Sequence, residues 1–229
     1  LENLGLNMAL ELKVVEGAIE QVGIGFMFAP AFHPAMKYAI GPRKEIGIRT
    51  VFNVLGPLTN PANANAQLLG VYAPAFTGPL AHVLRNLGCE EAMVVHGLDG
   101  LDEISTIGKT AISWLREGKV TDLEMTPKDF GLEPAKPEDI MGTTTEESSK
   151  IAFEILNGYS NPNEAKRNIV LANAAAGIIV GGKASNFSEG MELARQSIDG
   201  GAAYKKLRML IKVCDGNMAR LEELESKYG

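Results

Sequence analysis

Two adjacent acids, Asp102 and Glu103, lie in the glycine-punctuated stretch GLDGLDEIS, which runs from Gly97 to Ser105. An apolar run, Ala92 to His96, precedes it and predicts a buried strand, and open α/β sheets bind ligands at the carboxyl ends of their strands. Two carboxylates about 6 Å apart in one cleft repel each other by roughly 3 kcal/mol at an effective dielectric near 20. Mg²⁺ would remove that cost, because it takes oxygen ligands from one or two carboxylates, water and phosphates. The spacing equally fits a turn whose acids face water separately.

A second candidate for ligand binding is the stretch FAPAFHPAMKYAIGPRKEIGIRT, which contains several basic residues. It begins within the apolar run Ile24 to Ala29, which predicts a strand buried on both faces. His33 precedes Pro34, a pair typical of a helix start. The free N–H groups of such a first turn favour an anion, and Lys37 and Arg43 could add positive charge, Arg43 as a planar fork that matches a carboxylate. Alternatively, His33 caps a helix and the basic residues are solvated.

The elements that would position these residues alternate between strand-like and helical patterns. Apolar runs predict strands at Ala66 to Ala73 and Glu90 to Gly97, and the stretch between them predicts a helix from Thr77, as N-cap, to Gly88. An alternating stretch turns at Glu117-Gly118, a hairpin signal. Helical periods predict further helices at 13–22, 143–156, 162–181, 188–198 and 202–213. We therefore predict an α/β fold with a mostly parallel sheet flanked by helices.

Composition narrows the class of protein. Apolar residues make up 45% of the 229 residues and charged residues 22%, as in globular proteins. A net charge of −6 argues against nucleic acid as the main partner, although a local basic patch stays possible. The longest apolar candidate for a membrane span is interrupted by Asn173 and predicts a buried helix instead. Cys89 and Cys214 lack CxxC spacing, which indicates a reduced, cytoplasmic protein, and His96 is interpreted as a core histidine.

Three motifs carry a resemblance to a known family. HPAMK, GPRKEIGIRTVFNVLGPLTNP and DGLDEIS occur in this order, and with the helical tail they resemble the anthranilate phosphoribosyltransferase family of tryptophan biosynthesis over the whole chain. The resemblance implies a catalytic domain of the nucleoside phosphorylase/phosphoribosyltransferase type. It also implies an enzyme in which the amine of anthranilate attacks C1 of 5-phosphoribosyl-1-diphosphate (PRPP) and pyrophosphate leaves.

The resemblance further implies roles for individual residues. Arg43 would hold the anthranilate carboxylate, and His33 with the Gly56-Pro57 loop would shape a slot for the aromatic ring. Lys37 is a further candidate for anthranilate binding. The stiff stretch NVLGPLTNP could wall this slot with little loss of entropy on binding. The acid pair, Asp102 and Glu103, would hold the Mg²⁺ that neutralises the departing pyrophosphate.

The sequence departs from the family in its upstream part. The family's glycine-rich GTGGD loop, N-x-S-T turn and KHGN segment, which cradle the diphosphate, are not found here. The family's small N-terminal helical domain, which makes a dimer interface, is not found either. We therefore expect residues 1–229 to form the catalytic domain without its first strands, and to show no measurable transferase activity alone. For the full-length protein the resemblance implies a cytoplasmic homodimer without a nucleic-acid or membrane partner.

Three alternatives remain. A pyrimidine nucleoside phosphorylase would share the fold, but the pyrimidine-binding residues are not found. A non-catalytic relative that binds nucleic acid would need a basic surface, whereas the net charge here is −6. A third alternative is a regulatory or binding module on the same fold.

Overall fold

The structure is a computed structural model that describes residues 1–32, 45, 52–142, 144–158 and 164–228. The chain divides into two compact units. The first comprises Leu1–Gly56, Gly142–Asn161 and Ser197–Gly229, and the second comprises Pro57–Met141 and Pro162–Gln196.

The second unit contains a four-stranded sheet in the order β1-β2-β3-β4. Its strands are β1 (Ala66–Gly70), β2 (Glu91–Gly97), β3 (Thr110–Arg116) and β4 (Lys119–Met125). The pair β1–β2 is parallel, and the pairs β2–β3 and β3–β4 are antiparallel. The predicted α/β class is confirmed, but the described sheet is mixed rather than mostly parallel. Only β1 and β2 are joined by a helical crossover, whereas a loop and a tight turn reverse the chain before β3 and β4.

The described residues form α-helices in both compact units. They are α1 (Leu12–Val22), α2 (Ala29–Phe32), α3 (Phe52–Leu58), α4 (Thr77–Asn86), α5 (Pro137–Ile140), α6 (Thr145–Leu156), α7 (Glu164–Val180), α8 (Phe187–Asp199), α9 (Ala202–Val213) and α10 (Met218–Tyr228). Short 3-10 helices occupy Pro74–Phe76 and Pro127–Phe130. Among the described helices, none combines the length and the apolar character that crossing a membrane requires.

Helices α4 and α7 cover the sheet of the second unit. Helix α4 contacts β2 and β3, and α7 contacts β1 and β2. The buried residues of α7 recur every three or four positions, as on one face of a helix, and they are mostly small: Leu171, Ala172, Ala175, Ala176 and Ile179. Small side chains let α7 approach the strands closely, which brings Asn173 within reach of the loop after β2.

The first unit is a helical cluster around one apolar core. Helices α1, α6, α9 and α10 contribute to it, with buried residues that include Val15, Phe153, Ile211 and Leu221. Helix α1 ends as its sequence predicts, because Gly23 adopts φ 85° and donates its N–H to the carbonyl of Ile19. Helix α10 has no counterpart among the predicted helices.

The predictions for Ile24 to Ala29 and for the start of α4 are wrong. Residues 24–28 have no regular secondary structure, and Ala29 opens the short helix α2 instead of ending a strand. Phe26 and Met27 of this run are partly buried against the helical core, whereas Ile24 and Phe28 are exposed, so the run is not buried on both faces as a central strand would be. Thr77 is the first residue of α4 rather than its N-cap, and its hydroxyl donates to the carbonyl of Pro74 at 3.0 Å.

Candidate functional site

The predicted anthranilate clamp falls largely on a part of the chain that the structure leaves undescribed. His33, Lys37 and Arg43 lie outside the described residues, so their roles stay predictions. Gly56 and Pro57 are described, and they lie in helix α3 rather than in a loop. Pro57 lies inside this helix, which ends at Leu58. The carbonyl of Pro57 accepts a hydrogen bond from Nε2 of Gln67 on β1 at 3.0 Å.

The acid pair lies where its sequence predicts. Residues 98–109 form the loop between β2 and β3, and this loop leaves the sheet at the edge where the parallel strands β1 and β2 have their carboxyl ends. Asp102 and Glu103 are both exposed on this loop. The turn that precedes them is closed by two backbone hydrogen bonds of 2.8 Å, from the N–H of Gly97 to the carbonyl of Leu101 and from the N–H of Gly100 to the carbonyl of Gly97.

A third acid of the loop, Asp99, has a structural role. The hydroxyl of Ser105 donates to a carboxylate oxygen of Asp99. The same hydroxyl accepts from the N–H of Ile107 at 3.0 Å. The N–H of Ser105 in turn donates to Oγ1 of Thr110, the first residue of β3, at 2.9 Å. The loop is therefore anchored through buried Ser105, and the carboxylate of Asp99 accepts a hydrogen bond from its hydroxyl.

Asn173 on α7 holds the peptide groups of the residue that follows the acid pair. Its Oδ1 accepts from the N–H of Ile104 at 2.9 Å, and its Nδ2 donates to the carbonyl of Ile104 at 3.0 Å. In the sequence, Asn173 stands out only as an interruption of an apolar run. No local signal could reveal its partner, which lies 69 positions away in the chain.

Gly70, the last residue of β1, holds the same loop from the other side. A Cβ at this position would lie 1.7 Å from the carbonyl oxygen of Asp102, a distance that no side chain could accommodate. The absence of a side chain thus allows the backbone of the acid pair to pass directly against the end of β1. No local signal in the sequence indicates this close approach either.

The electrostatics of the pair suit a cation. The pKa of Glu103 is raised, first because neighbouring protein atoms partly desolvate its carboxylate and second because Asp102 carries a like charge. The side chain still reaches solvent. In the described part of the chain, no three or more His, Cys, Asp or Glu residues converge as a cation cluster. The pair therefore offers two carboxylates, a donor set that fits Mg²⁺ whose other ligands are water and phosphate oxygens.

His96, the penultimate residue of β2, is a satisfied core histidine, as predicted. Its side chain is 4% exposed, and its Nδ1 lies 2.7 Å from the carbonyl oxygen of Val71. A carbonyl only accepts, so Nδ1 carries the proton.

Comparisons with known proteins agree on one family. A family model described as "Glycosyl transferase family, a/b domain" matches residues 1–204. An anthranilate phosphoribosyltransferase of Acetivibrio thermocellus is 50% identical over 207 residues, which cover 90% of this chain and 59% of that protein. One from Petrotoga mobilis is 47% identical over 212 residues, which cover 93% of this chain and 61% of that protein. The chain thus spans about three fifths of the length of these curated relatives.

Solved structures agree with the sequence relatives. The crystal structure of the anthranilate phosphoribosyltransferase of Thermus thermophilus superimposes with a TM-score of 0.86 at 38% identity, over 93% of this chain and 63% of that one. The Saccharomyces cerevisiae enzyme in complex with PRPP and Mg gives a TM-score of 0.85 at 30% identity, over 93% and 61%.

Proposed function

The chain belongs to the glycosyl transferase family whose a/b domain it matches, and on this premise we propose that the protein transfers the phosphoribosyl group of PRPP to anthranilate. The products are N-(5-phosphoribosyl)anthranilate and pyrophosphate, and the step belongs to tryptophan biosynthesis. Relatives at 47–50% identity carry the name of this activity. The observation that carries the proposal is the acid pair, anchored at the carboxyl ends of the parallel strands, where its two carboxylates fit Mg²⁺.

On this proposal the reaction depends on positioning and charge. The amine nitrogen of anthranilate forms a bond to C1 of the ribose while the bond from C1 to the pyrophosphate oxygen breaks. Arg43 holds the carboxylate of anthranilate through a two-pronged charge-assisted hydrogen bond. His33, Lys37, Gly56 and Pro57 contact or flank the ring. An aromatic amine is a weak nucleophile, so fixing its angle of approach is the chief contribution of these residues.

The acid pair has a separate role. Asp102 and Glu103 hold Mg²⁺, which, when bound, neutralises negative charge on the departing pyrophosphate. Desolvation and then repulsion from Asp102 raise the pKa of Glu103, and a cation held by the pair would offset that repulsion. Saccharomyces cerevisiae structures in complex with PRPP and Mg, and with 4-fluoroanthranilate, support the assignment of cation and substrates.

The remaining parts of the proposal concern the whole protein. We also propose that residues 1–229 form one catalytic domain. The full-length protein would be a cytoplasmic homodimer without nucleic-acid or membrane partners. The relatives described above favour the transferase over a pyrimidine nucleoside phosphorylase or a non-catalytic binding protein.

The test is an activity assay on the protein expressed from its complete reading frame, with anthranilate, PRPP and Mg²⁺. The double variant Asp102→Asn/Glu103→Gln should lose about 100-fold or more in kcat/KM, the scale of lost electrostatic stabilisation. The matched control is Glu222→Gln/Glu223→Gln, an adjacent exposed acid pair on α10 that changes charge equally and should leave turnover unchanged. No turnover by the wild-type protein, or equal turnover by the two double variants, would contradict the proposal.

The anthranilate clamp needs its own experiment. Calorimetric titration of anthranilate should show weaker binding to Arg43→Ala than to the wild-type protein, by about 10-fold or more for a lost charge-assisted hydrogen bond. Equal affinities would rule out Arg43 as the carboxylate ligand and leave the role of the acid pair standing.

A further inference from the structure

We propose that Asn173 is a positioning residue: its amide fixes the backbone beside the acid pair, so that Asp102 and Glu103 are prearranged for a divalent cation before the cation binds. The inference rests on the proposed function, because it takes the acid pair as the cation site. Asn173 acts through the peptide groups of Ile104 rather than through either carboxylate.

The side chain of Asn173 contacts the backbone of Ile104 at two points. One side-chain amide pairs with both the N–H and the carbonyl of Ile104, at 2.9 and 3.0 Å. Two bonds to one residue fix its orientation as well as its position, which a single bond does not. Because the peptide N–H of Ile104 belongs to the same amide plane as the carbonyl of Glu103, fixing that N–H also constrains the backbone of Glu103.

The chemistry of asparagine suits position 173. Asn173 lies on a helix whose neighbouring residues are apolar, and asparagine is a poor helix former. Its Nδ2 also donates to the carbonyl of Ile169 one turn earlier at 2.9 Å, which aims the amide. Only a side chain with one acceptor and one donor can satisfy both backbone groups of Ile104. A leucine of similar size would leave both unpaired, at about 1–3 kcal/mol for each buried group.

Further contacts fix the backbone on both sides of Glu103. On one side of Glu103 the carbonyl of Asp102 lies against Gly70, where a Cβ would come within 1.7 Å. On the other side Ile104 is held by Asn173, and the next N–H, that of Ser105, donates to Thr110 at 2.9 Å. Glu103 therefore lies between fixed peptides although its side chain is exposed. Partners that orient metal ligands in this way typically contribute 10–100-fold to metal affinity.

The test is a titration of the chain with Mn²⁺, followed by the paramagnetic broadening of assigned amide signals in NMR spectra. This readout detects weak binding and does not depend on activity. Wild-type protein should show broadening first at residues 101–105. The variant Asn173→Ala should need about 10–100-fold more Mn²⁺ for the same broadening.

A matched control separates positioning from stability. Asn186 on the exposed start of α8 accepts from the N–H of Glu189 at 3.0 Å, so Asn186→Ala also loses asparagine hydrogen bonding, and it should cost about 1 kcal/mol in unfolding free energy. It should leave the Mn²⁺ dependence at its wild-type value. If Asn173→Ala does not fold, the milder Asn173→Ser takes its place, because its hydroxyl is small and still polar.

The outcomes are distinguishable. Equal Mn²⁺ dependence of the wild type and the Asn173 variant would overturn the positioning role and leave the acid pair as the cation site. A shift of the same size in Asn186→Ala would also overturn it, because general destabilisation would then suffice. Lack of broadening at residues 101–105 in the wild type would instead overturn the cation site of the proposed function, and the inference with it.

Discussion

Replacing Gly70 with alanine should displace the acid loop. The new Cβ would lie 1.7 Å from the carbonyl oxygen of Asp102 and 2.8 Å from its carbonyl carbon, whereas ordinary contact begins at 3.4 Å. The opposing atom belongs to the backbone, so no side chain can rotate away, and the two segments must separate by roughly 1.7 Å, the difference between 3.4 Å and 1.7 Å. Overpacking of this kind typically costs about 1–3 kcal/mol of unfolding free energy. A misplacement of about 1 Å in a reactive site can lower the rate on the order of 100-fold.

Two measurements on Gly70→Ala test this prediction. Denaturant unfolding gives the stability of the chain, and PRPP-dependent consumption of anthranilate gives the turnover of the protein from its complete reading frame. The matched control is Gly177→Ala in helix α7, where an added Cβ meets no atom within 4 Å among the described residues. That change should stabilise the protein by up to about 1 kcal/mol, because alanine is the better helix former, and should leave turnover unchanged.

The unfolding free energy should therefore fall in Gly70→Ala and rise in Gly177→Ala. If Gly70→Ala unfolds at the wild-type denaturant concentration and turns over normally, the close packing of the acid loop on β1 is wrong. If it is destabilised but fully active, the packing stands and the acid pair does not need its position for turnover.

Three further predictions concern single side chains. Glu103→Gln should raise the unfolding free energy at neutral pH without divalent cations, by less than about 1 kcal/mol, since it removes a partly desolvated charge and its repulsion from Asp102; denaturant unfolding with chelator checks this, and a loss of stability would contradict it. Burial and then the hydrogen bond to Glu225 raise the pKa of Tyr204 to about 12 from the ordinary 10.0, so the folded state holds this proton more tightly and the stabilisation is lost as the pH rises from 10 toward 12. Ultraviolet titration of Tyr204→Phe should accordingly lack the tyrosine that ionises near pH 12, and an unchanged curve would exclude the shift. Glu117 lies at φ 51° in the turn between β3 and β4, a conformation that asparagine adopts more readily than glutamate. Glu117→Asn should therefore raise the unfolding free energy, measured by thermal unfolding, by up to about 1 kcal/mol, whereas a loss would argue against the left-handed turn.

Local signals in the sequence were reliable where one segment determines its own conformation. Glu117-Gly118 predicted a hairpin, and both residues have the positive φ that such a turn requires, 51° and 73°. The strand ending at Gly97 is confirmed, and with it the place of the acid pair. In both cases the residues that determine the structure are adjacent in the chain.

Longer-range features could not be predicted in this way. An apolar run such as Ile24 to Ala29 fits a buried strand or a segment packed on a helical core, and the sequence does not show which partner is available. Here Phe26 and Met27 pack on the helical core, and Ile24 and Phe28 are exposed. The anchors of the acid loop, Gly70 and Asn173, contact it from segments far along the chain. Their roles depend on the folded arrangement of β1, the loop and α7, which one sequence without its relatives does not reveal.

The most direct measurement of the central claim is a crystal of the protein grown with Mn²⁺ and PRPP, with diffraction recorded for the anomalous scattering of manganese. An anomalous peak within coordination distance of the carboxylates of Asp102 and Glu103 is the expected result. Manganese bound elsewhere, with both carboxylates turned to solvent, would contradict the assignment of this loop as the cation site.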